Sequence, residues 1–182
     1  DRSPSRGLGD VYKRQMVFEF MNDPAVPYLD QQYMLGDALM VAPVFREDKV
    51  AQYYLPEGTW TELLTGETKE GGRWYQGTYD YFSMPLYVRE NSIVVRGNCD
   101  TKPDYDYADH ATVCVYQLKD AAETKVPDIH GNNVFTVKAV KDGDTVKVSV
   151  EGAHTELKVE VFVGNEKKEA VLAADANEVV VA

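Results

Sequence analysis

The side chains of this chain that could do chemistry begin with a run of carboxylates. The segment GNCDTKPDYDYAD places four aspartates within ten residues, at Asp100, Asp104, Asp106 and Asp109. Carboxylate oxygens are the ligands that calcium prefers, so this run could in principle gather a hard cation. It lacks the central glycine and the terminal glutamate of an EF-hand loop. We therefore interpret it as a solvated linker and predict no metal site.

The histidines and cysteines do not suggest a site either. His110, His130 and His154 are at least twenty residues apart, and no helix is predicted that would bring two of them together. Cys99 and Cys114 have neither metal-ligand spacing nor the pattern of a disulfide framework. Two free thiols in a reducing compartment are the simplest interpretation, with one disulfide as the alternative. We therefore expect a cytoplasmic location.

Common enzyme motifs are missing from the sequence. It has no glycine-rich loop between a strand and a helix, and no G-x-S-x-G nucleophile elbow. We expect no cofactor. The formal net charge of -11 disfavours phosphate backbones and anionic membranes. Because no apolar run approaches the roughly 18 residues of a membrane span, we expect neither nucleic acid nor a membrane as a partner.

The segment before Ala51 predicts few elements. Residues 1–15 hold four of the 19 Lys and Arg residues and show no periodicity. We expect them to be unstructured and foreign to the natural protein, with a basic interaction arm as the alternative. MVFEF, residues 16–20, predicts a short strand. Asp23 and Pro24 predict the start of a helix that ends near Gly36, before a buried strand in LMVAPVF.

After Ala51 the pattern predicts strands only. Turn residues recur about every ten positions, as in YYLPEGTW and in KDGDT, and most segments between them alternate apolar and polar residues. This spacing is typical of an antiparallel β-sandwich or barrel. The turn-rich segment 97–109 predicts a boundary between two sets of sheets.

Three ordered segments resemble one family. They are MLGDALMVAPVF, YLPEGTWTELLTGETKEGGRW and MPLYVRENSIVV, and together they resemble the C-terminal part of glycoside hydrolase family 31. The resemblance implies a mainly β fold, in which a remnant of the last strand and helix of a (β/α)8 barrel precedes proximal and distal antiparallel β-sandwich domains. It implies an unstructured stretch 1–15, a barrel remnant 16–37, a proximal domain 38–97 and a distal domain 98–182. MVFEF would be the eighth barrel strand.

The resemblance also implies where catalysis occurs. Retaining glycosidases use two carboxyl groups about 5–5.5 Å apart. In this family both are aspartates on earlier barrel strands, so we expect no catalytic residue in this chain, and no activity from the chain alone. The loop after MVFEF, with Asn22 and Asp23, would open on the substrate face of the barrel, although the sequence NDP favours a helix cap as the role of Asp23. The role of Glu19 stays open between the barrel interior and a helix contact.

The branch within the family is predicted from YVRENSIV followed by GNCDTKPDYDY, which looks more like the bacterial α-xylosidases than the α-glucosidases. The partner would be an oligosaccharide, bound through the missing barrel, and the full-length parent would be a homo-oligomer. An α-glucosidase and a non-catalytic carbohydrate-binding module are the alternatives. For Trp60, Trp74 and Tyr75 we expect packing between sheets rather than stacking on sugars.

Overall fold

The fold consists of two compact units built from β-strands. The computed structural model describes residues 13–128 and 130–182, and the chain divides after Glu90. We call residues 13–90 the first unit and residues 91–182 the second unit. Almost all regular structure is β-strand, as the mainly β prediction required.

The first unit holds one six-stranded and one two-stranded antiparallel sheet. The larger sheet has the order β1-β2-β3-β8-β5-β6, and the smaller one pairs β4 with β7. The elements are β1 (Lys13–Gln15), α1 (Met16–Glu19), a 3-10 turn (Val26–Tyr28), β2 (Tyr33–Leu35), β3 (Leu39–Val41), β4 (Val50–Leu55), β5 (Thr59–Glu62), β6 (Thr68–Glu70), β7 (Arg73–Thr78) and β8 (Leu86–Arg89).

One core holds the first unit together. Met16 from α1, Met34 from β2 and Met40 from β3 are fully buried against Trp60 and Tyr87. Trp60 satisfies its indole N–H by donating to the carbonyl oxygen of Pro56 at 2.8 Å. The segment predicted as a barrel remnant, residues 16–37, therefore shares one core with the strands that follow it.

The second unit holds two four-stranded sheets. Their orders are β15-β14-β10-β9 and β11-β12-β13-β16, and β10 and β14 run parallel while the other pairs are antiparallel. The strands are β9 (Ser92–Arg96), β10 (Thr112–Tyr116), β11 (Ala121–Pro127), β12 (Asn133–Asp142), β13 (Thr145–Gly152), β14 (Leu157–Val163), β15 (Glu166–Leu172) and β16 (Glu178–Val181). Their inward-facing valines form the core, with Phe135, Leu157 and Leu172.

The division between the units lies seven residues before the boundary predicted at residues 97 and 98. β9 pairs along its length with β10, so it belongs to the second unit. Asn91, at the turn between β8 and β9, has a positive φ of 54°. Within the second unit, its side chain donates to the carbonyl oxygen of Ala121 and accepts from the amide of Lys119, each at 3.0 Å.

The predicted strand MVFEF was wrong. Residues 16–19 form one helical turn, closed by the amide of Phe20 donating to the carbonyl oxygen of Met16 at 3.0 Å. Met16 and Phe20 lie four residues apart and both pack on the core, while Phe18 between them is 68% exposed. Apolar residues at 16, 18 and 20 fit a strand equally well, and a run of five residues cannot separate the two periods.

The predicted helix from Asp23 to Gly36 was also wrong. The chain makes only a 3-10 turn at residues 26–28, and Tyr33 lies in β2. Pro27 has no N–H to donate to the carbonyl oxygen of Asp23, as an α-helix that starts there would require, and this oxygen instead accepts from the amide of Val26 at 3.1 Å. Gly36, with a φ of 63°, turns the chain between β2 and β3 instead of ending a helix.

The predicted unstructured stretch 1–15 is wrong at its end. Lys13–Gln15 form β1, which pairs with β2 from Tyr33 to Leu35. The remaining residues of that stretch, 1–12, lie outside the described residues.

Candidate functional site

The two residues predicted to face substrate lie at a shallow cavity of the first unit. The cavity has a volume of about 310 Å³ and is formed where the end of α1 meets the turn before β5. Its lining comprises Glu19, Phe20, Met21, Asn22, Asp23, Pro56 and Glu57. The structure therefore brings Asn22 and Asp23 together with two further carboxylates on one surface.

Asp23 is held by both of its carboxylate oxygens. Oδ1 accepts from the amide of Ala25 at 3.0 Å, and Oδ2 accepts from the hydroxyl of Tyr54 at 2.9 Å. The first contact is the local turn expected of a capping residue, although no α-helix follows. Asn22 beside it is exposed.

Glu19 is held by arginines. Its carboxylate pairs with Arg14 of β1 and, at 3.6 Å, with Arg89 of β8. The guanidinium of Arg89 also lies 5.2 Å from the ring centroid of Phe20. Glu19 therefore contacts neighbouring strands, and these contacts fix α1 on the large sheet.

The chemistry available at this cavity is limited. A glycosidase needs one carboxyl group as a proton donor and a second as a nucleophile or base. Glu19 and Asp23 are engaged in the contacts above, and Glu57 is exposed on the rim. The cavity can offer hydrogen bonds from Asn22 and acceptors from Glu57, which suits contact with a polar ligand better than bond cleavage.

The aromatic residues near this surface are not coplanar. Trp74 is 50% exposed, and its ring lies 5.6 Å from that of Tyr54 at an angle of 57°. Trp60 is buried, as expected from the sequence, and Tyr75 is half-buried and stacks on Tyr53 at 5.9 Å. A flat platform of the kind that stacks on successive sugar rings is not formed by these five residues.

A cluster of one lysine and three tyrosines joins the two sheets of the first unit. Lys69 donates to the hydroxyl of Tyr87 at 2.6 Å and to that of Tyr53 at 3.1 Å, and Tyr79 donates to Tyr53 at 3.1 Å. Burial raises the pKa of Tyr53, Tyr79 and Tyr87 above the ordinary tyrosine value. The phenols therefore stay neutral and act as hydrogen-bonding groups, which indicates a structural role.

A second charged cluster lies on the β15-β14-β10-β9 sheet. Glu160 is only 3% exposed. Its carboxylate forms ion pairs with Arg96 at 2.7 Å, Lys158 at 2.9 Å and Lys167 at 3.5 Å. Burial by itself would raise the pKa of the Glu160 carboxyl, but the hydrogen bond from Lys158 and the charges of Arg96 and Lys167 outweigh it and lower that pKa. This cluster ties β9, β14 and β15 together.

Of the candidate ligands considered from the sequence, Asp109 and His110 contact each other, with 2.7 Å between Oδ1 and Nδ1. Within the described ranges 13–128 and 130–182, no group of three or more His, Cys, Asp or Glu side chains could hold a metal ion. Cys99 and Cys114 are both free thiols. Both ring nitrogens of His154 contact backbone carbonyl oxygens, of Thr155 at 2.7 Å and Ala176 at 3.0 Å. Among the described residues, no helix is long and apolar enough to cross a membrane.

Sequence reasoning missed the exposed turn of residues 80–83. Tyr81 and Phe82 are each 92% exposed there. Their signal was present, because two adjacent aromatic residues inside the turn-like sequence YDYFSMP cannot both face a core. The general expectation that aromatic residues pack on sheets does not distinguish these two from the buried ones.

Comparison with known proteins now connects this geometry to a family. Residues 9–94 match the model of the glycosyl hydrolase family 31 C-terminal domain, and residues 106–182 match that of the C-terminal domain of α-xylosidase YicI. The chain belongs to glycoside hydrolase family 31. This family assignment confirms the resemblance carried by the three sequence segments.

Relatives of the family 31 chain include two types of glycosidase. Alpha-xylosidase XylQ of Lactiplantibacillus pentosus is 32% identical over 87% of this chain and 21% of its own length. Alpha-glucosidase 2 of Bacillus thermoamyloliquefaciens is 24% identical over 87% of this chain and 20% of its own length. The chain thus spans about a fifth of the length of these relatives.

Solved structures give the same fold. The family 31 α-xylosidase of Xanthomonas citri is 27% identical, with a TM-score of 0.72 over 93% of this chain and 21% of its own. The cycloalternan-forming enzyme of Listeria monocytogenes is 21% identical with a TM-score of 0.79, over 93% of this chain and 20% of its own. The β-sandwich architecture of family 31 C-terminal domains is therefore shared.

Proposed function

We propose that this chain is the non-catalytic C-terminal portion of a retaining α-glycoside hydrolase, and that the whole protein is an α-xylosidase. The observation that carries the xylosidase branch is the match of the second unit, residues 106–182, to the C-terminal domain of an α-xylosidase. The relative XylQ, named as an α-xylosidase, aligns across both units and supports the same branch.

The absence of catalysis from this portion rests on the carboxylates. Two carboxyl groups about 5–5.5 Å apart must flank the scissile bond in a retaining enzyme. The cavity carboxylates Glu19 and Asp23 are instead engaged by arginines, a phenol and a backbone amide. The catalytic aspartates are therefore assigned to a preceding barrel domain, which the C-terminal portion supports.

The substrate we propose is an oligosaccharide with a terminal α-xylosyl residue, bound mainly by that barrel. Asn22 and Asp23 remain proposed as residues that face it, with Asn22 the better placed because its side chain is exposed. The parent protein is further proposed to be a homo-oligomer. Its two free thiols are compatible with a cytoplasmic location.

The test is the substrate preference of the chain preceded by its genomic upstream sequence. Xylose lacks the hydroxymethyl group of glucose, and a pocket shaped for one of them discriminates by roughly tenfold or more. We expect kcat/KM for an aryl α-xyloside to exceed that for an aryl α-glucoside by about this factor. The reverse preference would assign the protein to the α-glucosidase branch.

A carbohydrate-binding module is the second candidate function. The observation in its favour is Trp74, which is half-exposed and lies 5.6 Å from the ring of Tyr54, whose hydroxyl donates to the cavity residue Asp23. Titration of the chain with xylo- and gluco-oligosaccharides, followed by tryptophan fluorescence, distinguishes a binding module from a supporting portion of an enzyme. Saturable binding lost in Trp74→Ala would support the module.

A further inference from the structure

Among the residues that the structure describes, the exposed large aromatic side chains lie in the first unit. Among the described residues, the most exposed large apolar side chains are Tyr81 and Phe82, each at 92%. In the described part of the second unit, the exposed large apolar residues are Val163, Val171 and Val180. Soluble proteins rarely leave adjacent large apolar side chains in water without an interaction to make.

The turn that carries these two residues is well ordered by hydrogen bonds. Asp80 Oδ1 accepts from the amide of Phe82 at 2.9 Å and from the hydroxyl of Ser83 at 2.7 Å, and the Asp80 amide donates to Ser83 Oγ at 3.0 Å. Tyr81 is flanked by Lys49, whose ammonium lies 5.3 Å from the ring centroid. Because the backbone is fixed in this way, the aromatic pair is presented without a large entropic cost on binding.

A groove lies next to the turn. Its volume is about 350 Å³, and its lining includes Pro43, Val44, Tyr79, Tyr81 and Met84 with charged residues at the rim. Four charged residues line the groove. Arg46 is paired with Asp48, Asp80 is bonded within the turn, and the ammonium of Lys49 lies over the Tyr81 ring, while Glu47 is exposed. Few polar groups are therefore left to converge on a sugar, and the groove suits an apolar protein surface better.

The chain's place in its family indicates which protein surface would occupy the groove. The chain spans about a fifth of its relatives. Any polypeptide before residue 13 is joined covalently to the first unit, through β1. A preceding domain is thus tethered to the unit that holds the exposed aromatic residues, which gives it a high effective concentration there.

We propose that the aromatic turn, residues 80–83, and the adjacent groove form the docking surface for the preceding catalytic domain. Tyr81 and Phe82 insert into that domain, and the groove receives an apolar side chain from it. This inference rests on the proposed function, because it requires a catalytic domain upstream. The inference goes beyond the proposed function because it assigns the contact to one turn of the first unit.

The test uses the chain preceded by its genomic upstream sequence. The variant is Tyr81→Ser/Phe82→Ser, and the matched control is Val163→Ser/Val180→Ser, which removes two exposed apolar side chains from the second unit. Limited proteolysis measures how often the two parts separate. We expect the turn variant to be cleaved faster by on the order of tenfold, since cleavage follows the open population, and the control to match wild type.

Two further measurements separate the possible failures. Circular dichroism of the 182-residue chain alone should show the same unfolding transition with and without the turn substitutions, which excludes a folding defect. Cleavage of the turn variant at the wild-type rate would overturn the docking surface, even if the long protein is an active xylosidase. Inactivity of the wild-type long protein would overturn the proposed function while leaving the proteolysis result valid.

A second copy of this chain is the competing occupant. Light scattering of the isolated chain would detect it as a dimer that the turn substitutions convert to a monomer. That outcome, with no change in proteolysis of the long protein, would overturn the assignment to a catalytic domain.

Discussion

At the scale of single residues, Glu160 shows how burial and charge combine. Its position between Val159 and Val161 places it on the face of β14 away from the core, as strand alternation predicts. Its burial could not be predicted, because Arg96, one of the side chains paired with it, comes from β9, 64 residues earlier in the sequence. Local patterns give the direction of a side chain but not its distant partners.

The Glu160→Gln substitution should destabilise the second unit by about 1–3 kcal/mol at pH 7, since it removes a buried charge that several cations contact. The folded state lowers the pKa of Glu160. The stability that the ionised carboxylate contributes is therefore complete above the ordinary carboxyl pKa of about 4.3, and it is lost as the pH falls toward the lower pKa of the folded state. The wild-type chain should therefore lose more stability on acidification than Glu160→Gln does.

Denaturant unfolding of the two chains at pH 7 and pH 4 checks this prediction. Both tryptophans lie in the first unit, so tryptophan fluorescence follows that unit while far-UV circular dichroism also reports the second. Glu169→Gln is the matched control, because Glu169 on the paired strand is 45% exposed and its ion pairs should contribute at most about 1 kcal/mol. Equal effects of the two substitutions would show that burial of Glu160 has no energetic importance.

The two cysteines should differ in reactivity. Cys114 is fully buried, and burial raises its pKa to about 11, so at pH 8 it is almost entirely protonated. Cys99 is partly exposed, and a hydrogen bond with the Thr101 hydroxyl lowers its pKa. Ellman's reagent at pH 8 should label one thiol in the folded chain and two in denaturant, and Cys99→Ser should abolish the first. A single disulfide would leave no thiol to label in either condition.

At the scale of elements, turn residues predicted the strands well, whereas short apolar runs did not predict the type of element correctly. The hairpin of β12 and β13 follows directly from the Asp-Gly pair, where Gly143 adopts a φ of 59°. The segment from Met16 to Gly36 differs from its prediction twice, because the apolar spacing at its start fits both periods and Pro27 cannot donate the backbone hydrogen bond of an α-helix that starts at Asp23. Tertiary contacts with Trp60 and Tyr87 decide its structure.

The same elements should differ in local stability. α1 is a single turn without a side-chain cap, whereas β13 pairs with β12 on one side and β16 on the other. We expect amides of residues 17–20 to exchange with solvent faster than those of residues 146–150, on the order of a hundredfold or more. Hydrogen exchange by mass spectrometry measures this, with β2 as an internal reference within the first unit. Equal protection of α1 and β13 would mean that the first unit does not need a preceding domain to be stable.

At the scale of the whole molecule, the two units share a fold class but differ at the surface. The first unit exposes aromatic side chains such as Tyr28, Tyr81 and Phe82, and the second exposes charged residues and a few valines. Composition could not predict this asymmetry, because it depends on which aromatic residues the sheets bury. The family could be predicted, since three ordered motifs in residues 32–95 are far more specific than any fold argument.

The most direct test of the account is hydrolysis of aryl α-glycosides by the purified 182-residue chain, beside the same chain preceded by its genomic upstream sequence. We expect the shorter chain to have no activity above background, because its cavity carboxylates Glu19 and Asp23 are held in structural contacts. The longer protein should turn over an aryl α-xyloside. Turnover by the shorter chain, abolished by Asp23→Asn, would contradict the account and place a catalytic carboxylate in the first unit.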